Sequence, residues 1–516
     1  MWNRLLLICL TFLAAVSCGE EAPDDFRNTL PEGYIPYMTP DEEGDVIPDF
    51  SRVGYRFGDE EIPDYPVAVT LTPPSDGSDA TLMIQEALDE AAGSCSAVLL
   101  KKGVYNISDT LRIDMDGVVL CGEGQETVLR ATGVSQRSLI TLGRRTSRQT
   151  GASSAIVDDY TPVGQMWVRV EDPSLFAVGD RVAIYRRPNA KWVADLHMDR
   201  IPQNSSGSVS QWNYRAYYIW WERSVTAVEG DVVRLDNPVV MALESEYLGE
   251  NLLCHVSWDR TVESGVENLR MESGYDPSVL DSQGRETDEA HAWTAVTVAS
   301  AEHCWVRDVT CAHFGYALAD ILSGAKNITV KDCVSTAPVS KVTGSRRYAF
   351  HLNGGEQCLI ENCVAEDDRH GFITASRVPG PNVFLECRMV RALSDMGPHQ
   401  RWATGVLYDC CSTDGLLAVQ DRDNWGTGQG WAGVNFVLWN CSAATLTCQS
   451  PWVSGQNWCI GCTGSRSDGR EYADGLARPS AVWKSYGVPT QPASLYRRQL
   501  ANRRQLANRR QLANRR

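Results

Sequence analysis

TVKDC at residues 329–333 and LIENC at residues 359–363 belong to one phrase that recurs along the second half of the chain. Its copies are WVRDV (305–309), TVKDC (329–333), LIENC (359–363), FLEC (384–387), LYDC (407–410), LWNC (438–441) and CIGC (459–462). Taken from the last residue of each copy, the steps are 24, 30, 24, 23, 31 and 21 residues. A repeat of this length, built from short β-prone runs broken by Asn, Asp and Gly, predicts a β-solenoid with one copy per coil.

The cysteines that end these phrases should share one position in each coil. Because parallel strands pair about 4.8 Å apart, equivalent residues of successive coils stack directly over one another. The predicted inward ladder consists of Cys333, Cys363, Cys387, Cys410, Cys441 and Cys462. Cysteine is small and buries readily, so packing is the favoured interpretation, with disulfides between coils as the alternative. No CxxC pair recurs at the spacing of a zinc site.

The N-terminal half carries a second signal. Ser78 and Asp79 precede Ile84, Leu88 and Ala91 at helical spacing, which predicts a capped amphipathic helix. GVYNISDTLRI (103–113) and GVVLCGEGQETVLRA (117–131) follow. This succession resembles the opening of the pectate-lyase superfamily. The resemblance implies an all-β fold, a single-stranded right-handed parallel β-helix of the pectin-lyase-like kind, with the helix capping its open N-terminal end.

The order of these signals divides the chain into six parts. They are a lipoprotein signal peptide (1–17), a tether or linker (18–60), the N-terminal cap and first coils (61–159), an inserted β subdomain (160–258), the main parallel β-helix (259–490) and an Arg-rich repeat tail (491–516). The insert holds an aromatic segment whose rings either contact sugar or seal the junction with the β-helix. The repeated RRQLAN tail predicts a mobile or weakly helical terminus, and a local duplication is favoured over an anion-binding role.

The first residues indicate export. Asn3 and Arg4 precede an apolar run, and Ser17 precedes Cys18, which fits a secretory signal with a lipobox and lipidation at Cys18. An ordinary cleaved signal is the alternative. We therefore expect a monomeric outer-membrane lipoprotein, held to the membrane through its lipid anchor only, on the periplasmic face or the cell surface.

Charge constrains the partner. The net charge of -17 argues against nucleic-acid binding, and an acidic substrate would need a local positive patch. Residues 341–401 supply one, with eight Lys or Arg residues against seven acids. His351 lies 12 residues before Cys363, His399 lies 11 before Cys410 and Asp320 lies 13 before Cys333, so all three should fall on one line across the coils.

These residue types suit the cleavage of an acidic polysaccharide by β-elimination. Arginine binds a uronate carboxylate through its planar fork, and histidine has a pKa suited to removing the proton at C5. The predicted catalytic set is Arg347, Arg369 and Arg401 for the carboxylate, His351, His370 or His399 as base, and Tyr348 as acid. The predicted substrate-binding set is Lys341, Asp320, Trp402, Asp421, Trp425 and Trp431.

Other functions stay open at this point, because the resemblance implies a carbohydrate role without fixing a reaction or a sugar. A glycoside hydrolase would use paired carboxylates such as Asp367 with Asp368, or Asp421 with Asp423. A non-catalytic surface protein would capture glycans on its tryptophans. The calcium and arginine-base arrangement of pectate lyases does not map onto these positions. No cofactor is assigned; Ca²⁺ is an open expectation on the acidic loop 276–289, where a solvated loop is the favoured interpretation.

Overall fold

The computed structural model describes residues 41–514. The N-terminal part contains β1 (Val67–Leu71), α1 (Thr81–Ala91), β2 (Ser96–Leu100), β3 (Gly103–Ile107), β4 (Leu111–Ile113), β5 (Val118–Gly122), β6 (Thr127–Ala131) and β7 (Ser138–Leu142). The insert contains β8 (Gln149–Ala155), β9 (Tyr160–Thr161), β10 (Trp167–Arg169), β11 (Arg181–Pro188), α2 (Ala190–Asp195), β12 (Ile219–Glu229), β13 (Val232–Leu235), β14 (Leu243–Glu244) and β15 (Leu248–Ser257).

The second half holds most of the coils. Its strands are β16 (Thr261–Val262), β17 (Gly265–Ser273), β18 (Thr294–Val298), β19 (Ala301–Glu302), β20 (Trp305–Ala312), β21 (Ala317–Leu322), β22 (Thr329–Lys331), β23 (Val334–Thr336), β24 (Phe350–Asn353), β25 (Leu359–Glu361), β26 (Val364–Glu366), β27 (Phe372–Thr374) and β28 (Asn382–Leu385). They continue with β29 (Arg388–Val390), β30 (Asp395–Pro398), β31 (Ala403–Thr404), β32 (Val406–Asp409), β33 (Ser412–Val419), β34 (Gly433–Val434), β35 (Val437–Trp439), β36 (Ser442–Cys448), β37 (Trp458–Ile460), β38 (Thr463–Ser467) and β39 (Val482–Lys484), before α3 (Leu495–Asn514).

Parallel pairing between successive coils builds three faces. The first face runs β17–β20–β22–β25–β28–β32–β35–β37–β39. The second face runs β20–β23–β26–β29–β33–β36–β38. The third face runs β7–β18–β21–β24–β27–β30. The protein is thus a right-handed parallel β-helix, which confirms the predicted fold class.

The turn between the first and second faces explains the repeated phrase. In each coil one residue there adopts a left-handed backbone, which Asn and Asp tolerate better than most residues. These residues are Asp308 (φ 54°), Asp332 (54°), Asn362 (50°), Glu386 (54°), Cys410 (55°) and Asn440 (49°). The residue that follows each of them points into the core.

That register corrects one member of the predicted thiol ladder. Leu385 pairs with Asp409, so Cys410 falls at the left-handed turn and is half-buried, while the next residue, Cys411, enters the core beside Cys387. The prediction was wrong by one position because two adjacent cysteines end that phrase. The six ladder cysteines at 333, 363, 387, 411, 441 and 462 are buried and unbridged, which agrees with the packing interpretation.

The assigned register predicts different losses of stability at two cysteines on adjacent coils, one in the ladder and one at the turn. Cys387→Ala should lower the free energy of unfolding by about 1–2 kcal/mol, because it leaves a void between stacked coils. Cys410→Ala at the half-buried turn should change it by less than about 0.5 kcal/mol. Urea unfolding of both variants measures this, and equal effects would contradict the assigned register.

Helix α1 covers the N-terminal end of the solenoid. Ile84, Leu88 and Ala91 are buried against the first coils, as the helical spacing predicts. The predicted cap differs in detail, since Ala80 is the N-cap residue and has no side-chain cap. Asp79 instead accepts hydrogen bonds from Thr81 and Ser108.

The insert is a six-stranded antiparallel sheet in the order β10-β13-β12-β11-β15-β8, and its strands begin at Gln149, before residue 160. A buried ion network fixes it to the β-helix. Glu222 on β12 accepts bidentate hydrogen bonds from Arg260 at 2.9 and 2.8 Å and lies 3.1 Å from Lys326. The insert therefore has a fixed position beside the third face.

Both ends of the described chain pack on the outer side of the first face. Ile47, Phe50 and Val53 are buried there against the apolar strand residues, so the predicted linker is a packed arm from residue 45 onward. The predicted tail forms α3, with Leu495 and Tyr496 buried in the same cluster. The apolar side chains on the outer side of the first face would otherwise meet water, which explains why the arm packs there although a linker was predicted, and why the predicted tail forms a packed helix. No helix among residues 41–514 is long and apolar enough to cross a membrane.

Candidate functional site

The third face carries a histidine–carboxylate pair on its outer side. Asp320 on β21 and His351 on β24 are direct partners in the parallel ladder, which is the register that their spacing predicts. The neighbouring Leu352 points inward and belongs to the core, so strand alternation turns the pair outward. The Nδ1 atom of His351 lies 2.9 Å from Oδ1 of Asp320.

Tyr348, in the turn before β24, is the centre of the site. Its ring centroid lies 5.4 Å from that of His351, 5.3 Å from that of His370 and 5.4 Å from that of His399. Its hydroxyl accepts a hydrogen bond from the backbone N–H of Ser345 and lies 3.3 Å from Nε2 of His399. One tyrosine therefore contacts all three histidines of the predicted set.

The position of His399 differs from the prediction. His351 pairs with Ile373, and Ile373 pairs with Gly397, so His399 lies two residues beyond the line of Asp320 and His351. Gly397 on the line lies 14 residues before the core cysteine Cys411, whereas His351 lies 12 before Cys363, so this coil has two more residues between the third face and the core cysteine. His399 still reaches the cluster, because its Nε2 atom lies 3.3 Å from the Tyr348 hydroxyl. The same atom lies 3.2 Å from Nε2 of Gln429.

His370 lies beneath the cluster with a charged support. Its Nδ1 atom lies 2.7 Å from the backbone oxygen of Asp395 and 3.5 Å from the carboxylate, which is ion-paired with Arg422. Burial lowers the pKa of His370 to about 4. Burial would raise the pKa of Asp395, but Arg422 and His370 hold it below its usual range. His370 is fully buried and positions the site rather than contacting a substrate.

Besides Asp395 and Gln429, which contact His370 and His399, two further residues of the site were not predicted. Tyr316 occupies the turn before β21, and its hydroxyl lies 3.1 Å from Nδ1 of His351. Burial, together with Asp320, raises the pKa of Tyr316, so its hydroxyl stays protonated. Arg422 lies within the QDRDNWG phrase, where only the aspartates and Trp425 were selected. A search for polar residues at turns of adjacent coils would have found both.

The predicted arginines divide by their surroundings. Arg347 is buried, and its guanidinium donates to the backbone oxygens of Asp367 and Ser340, so it holds the turn rather than a ligand. Arg369 is half-buried and donates to a backbone oxygen of residue 343. Arg401 is half-buried and donates to the side chains of residues 400 and 427. Lys341 is exposed, and its Nζ atom lies 4.0 Å from Oε2 of Glu289.

Three predicted sugar-binding residues are inaccessible. Trp402 and Trp431 are fully buried in the core that joins the insert to the β-helix, so their faces pack against protein. Asp421 is also fully buried and pairs with Arg478 at 2.7 Å. Trp425 is half-buried, with Arg422 4.6 Å from its ring centroid, and remains at the edge of the site.

Two acidic side chains of the loop considered for calcium form ion pairs with arginines. In the acidic loop, Asp281 pairs with Arg285 at 2.7 Å and Glu289 pairs with Arg346 at 2.6 Å. Among the residues that the structure describes, no group of three or more His, Cys, Asp or Glu side chains is arranged to hold a metal ion. The predicted signal peptide and Cys18 lie outside the described residues.

Burial of His370 predicts how stability depends on pH. Its folded pKa of about 4 lies below the ordinary value of 6.5, so the unfolded chain binds more protons between these values. The resulting stabilisation is complete above about pH 6.5 and is lost as the pH falls towards 4, by up to about 3 kcal/mol. Urea unfolding between pH 7.5 and 4 should give a flatter profile for His370→Asn than for the wild type. Parallel profiles would show that His370 does not titrate in this way.

Comparison with known proteins identifies structures of similar architecture. No protein-family model matches the chain, and no curated protein matches it. The surface adhesin PfbA of Streptococcus pneumoniae aligns with a TM-score of 0.41 and 9% identity over 77% of this chain and 79% of its own. A tailspike protein of an Acinetobacter phage aligns with a TM-score of 0.41 and 8% identity over 82% of this chain and 59% of its own. The A-module of a mannuronan C-5 epimerase from Azotobacter vinelandii aligns with a TM-score of 0.32 and 12% identity over 81% of this chain and 93% of its own.

Proposed function

We propose that this protein is a polysaccharide lyase that cleaves a uronic-acid-containing glycan by β-elimination. The observation that carries the proposal is the Asp320–His351 pair beside Tyr348 on the outer side of the third face. Such a reaction needs a base for the C5 proton, an acid for the leaving oxygen and a cation for the carboxylate.

His351 is the proposed base. If its Nδ1–H is donated to Asp320, the Nε2 atom keeps the lone pair that accepts the proton. The carboxylate then holds the ring orientation and stabilises the imidazolium that forms, as in other histidine–carboxylate pairs. His351 is 5% exposed and His370 is fully buried, so of these two histidines only His351 has an edge at the surface.

Tyr348 is the proposed acid. Its hydroxyl accepts a hydrogen bond from the Ser345 N–H, and this contact stabilises the phenolate that remains after the proton reaches the leaving oxygen. Arg401 and Arg369 are the proposed cations for the uronate carboxylate, because both are half-buried near the cluster and, among residues 41–514, each donates only to uncharged groups.

The carboxylates proposed for a hydrolase are poorly placed. Asp421 is buried against Arg478, and Asp368 is buried next to Arg347. Burial raises the pKa of Asp368 to about 8, so at neutral pH it is largely a neutral acid without access to solvent. Glycosidic hydrolysis by these pairs would require two accessible carboxyl groups on either side of a sugar bond.

The full chain after Cys18 should be offered a panel of pectic, alginate-type, glycosaminoglycan and neutral polysaccharides. Ultraviolet absorbance reports the unsaturated uronate, and reducing ends report any cleavage. Rising absorbance on an acidic polymer supports the lyase. Reducing ends without absorbance support hydrolysis, and binding without either signal supports glycan capture. Attachment to the outer membrane through Cys18 belongs to the same proposal and is tested by labelling with a radioactive fatty acid.

A further inference from the structure

The aromatic residues of the insert line the side of the third face. Trp258, just after β15, donates from its indole N–H to the hydroxyl of Ser300 at 3.1 Å, and Ser300 follows β18. At the other end, Arg377 follows β27 and lies 5.9 Å from the ring of Tyr217 and 6.0 Å from that of Tyr218. The insert therefore forms a wall along the turns that leave the third face.

Arg148 is the unusual residue of this wall. Its guanidinium carbon lies 5.0 Å from the ring centroid of Trp220 and 4.9 Å from that of Trp258. The side chain is half-buried, yet it forms no hydrogen bond or ion pair with any residue that the structure describes. By contrast, the nearby Arg260 is saturated by Glu222 and a backbone oxygen. A cation clamped between two indoles with its donors unused is arranged for an anionic ligand.

Strand alternation separates two sets of aromatic residues in the insert. Tyr217 and Trp221 are buried in the core of the insert, while Trp220 is half-buried and Tyr218 is 45% exposed. Trp220 faces Tyr185 across the β11–β12 pair, with ring centroids 4.4 Å apart. The second set, together with Arg148 and Trp258, forms a surface that we call the aromatic wall: Arg148, Tyr185, Tyr218, Trp220 and Trp258.

The aromatic wall connects to the candidate site through polar groups. The backbone N–H of Arg377 donates to the oxygen of Arg401, and the N–H of Arg401 donates to the oxygen of Gln429. The Gln429 side chain contacts His399 at 3.2 Å. From the coil of β18 to that of β30 there are four coil steps of about 4.8 Å, or roughly 19 Å along the axis. Several sugar rings fit along that length.

A cavity adjoins the wall at Trp258. It has a volume of about 520 Å³ and is lined by Thr146, Ser147, Gln149, Ser257, Trp258 and Asp259. The exposed ring of Tyr218 offers a face on which a sugar ring stacks, and a guanidinium edge such as that of Arg148 binds a carboxylate through two parallel hydrogen bonds. The protein carries a net charge of -17, so such a cation would supply local attraction for an acidic chain.

We infer that the aromatic wall is a subsite for an acidic polysaccharide, in which Arg148 binds the carboxylate of a uronate residue about two coil steps, or roughly 10 Å along the axis, from the proposed base His351. This inference rests on the proposed function and adds the direction of the polymer, which lies parallel to the solenoid axis between the wall and the third face. It also predicts that a polymer binds more tightly than a short oligosaccharide that does not reach the wall.

The test compares Arg148→Ala with Arg388→Ala, since Arg388 is exposed on β29 of the second face and its side chain forms no ion pair with any residue that the structure describes. Binding is measured by calorimetry on an acidic polymer that wild type binds and on its carboxyl-reduced form. Arg148→Ala should weaken binding of the acidic polymer by about 10- to 100-fold and leave binding of the reduced polymer unchanged. Arg148→Lys should restore part of the affinity, because it keeps the charge without the fork.

Activity separates this inference from the proposed function. With Arg148→Ala, kcat/KM on the polymer should fall while kcat/KM on the shortest cleaved oligosaccharide stays at the wild-type value. Equal binding and equal kinetics in Arg148→Ala, with a lyase confirmed, would overturn the subsite alone. Binding that depends on Arg148 without any cleavage would support the subsite and overturn the lyase. A thermal midpoint equal to wild type confirms that Arg148→Ala is folded.

Discussion

Alanine at His351 should reduce the rate of unsaturated-uronate formation by about 10²-fold or more, because it removes the proposed base. The rate is followed by ultraviolet absorbance on the polymer that the wild-type protein cleaves. Asp320→Asn should reduce kcat by a smaller factor and leave KM near the wild-type value, since the proposed role of this carboxylate, which was predicted from the sequence to bind substrate, is to orient His351.

A matched histidine controls for general effects of the substitution. His197 is half-buried and stacks on Trp452, with ring centroids 4.5 Å apart, in the insert. His197→Ala should retain full activity. Full activity of His351→Ala would refute the assignment of the base, and a loss shared equally by both variants would trace it to folding.

Methionine at Arg422 should lower the free energy of unfolding by about 3–5 kcal/mol, because it leaves the Asp395 carboxylate buried without its partner. Asp395 is 4% exposed and lies beside His370, which burial keeps neutral. The buried site would then have to bind a proton or lose its packing. Urea unfolding at pH 7 measures the difference.

Two further variants isolate the buried ion pair. Adding Asp395→Asn to Arg422→Met should recover a large part of the stability, since no uncompensated charge remains. Arg391→Met removes an exposed arginine that pairs with Glu366 and Asp367, and it should cost less than about 1 kcal/mol. Equal losses in Arg422→Met and Arg391→Met would contradict the role given to burial.

The fold could be predicted because the period of the repeat is a local property of the sequence. Each coil needs one left-handed residue at the turn between the first and second faces, and this need places Asp332 and Asn362 at fixed spacing. The register of the cysteine ladder was lost only where two cysteines adjoin at 410 and 411. His399 was misplaced by two residues for a separate reason, because the number of residues between the third face and the core cysteine differs between coils.

Part of the candidate site could be predicted for the same reason. Asp320 and His351 lie on strands, where pairing between coils follows from the period. Tyr316 and Arg422 lie on turns of variable length, so spacing carries no information about their neighbours. Trp402 and Trp431 were assigned to sugar because a tryptophan in a Gly-rich loop suits a binding groove and a domain junction equally well.

The contact between the two chain ends has a kinetic consequence. The backbone N–H of Phe50 donates to the side chain of Gln499 across 449 residues, and Arg503 pairs with Asp59 at 2.7 Å. In the second half of the chain, contacts between adjacent coils close loops of a few tens of residues and can form early, whereas this one needs the coils from β25 to β39, on which both ends pack, to be in place. We therefore expect the arm and α3 to close last during folding and to open first under denaturant. Docking of the arm and α3 would then report that the coils beneath them have folded.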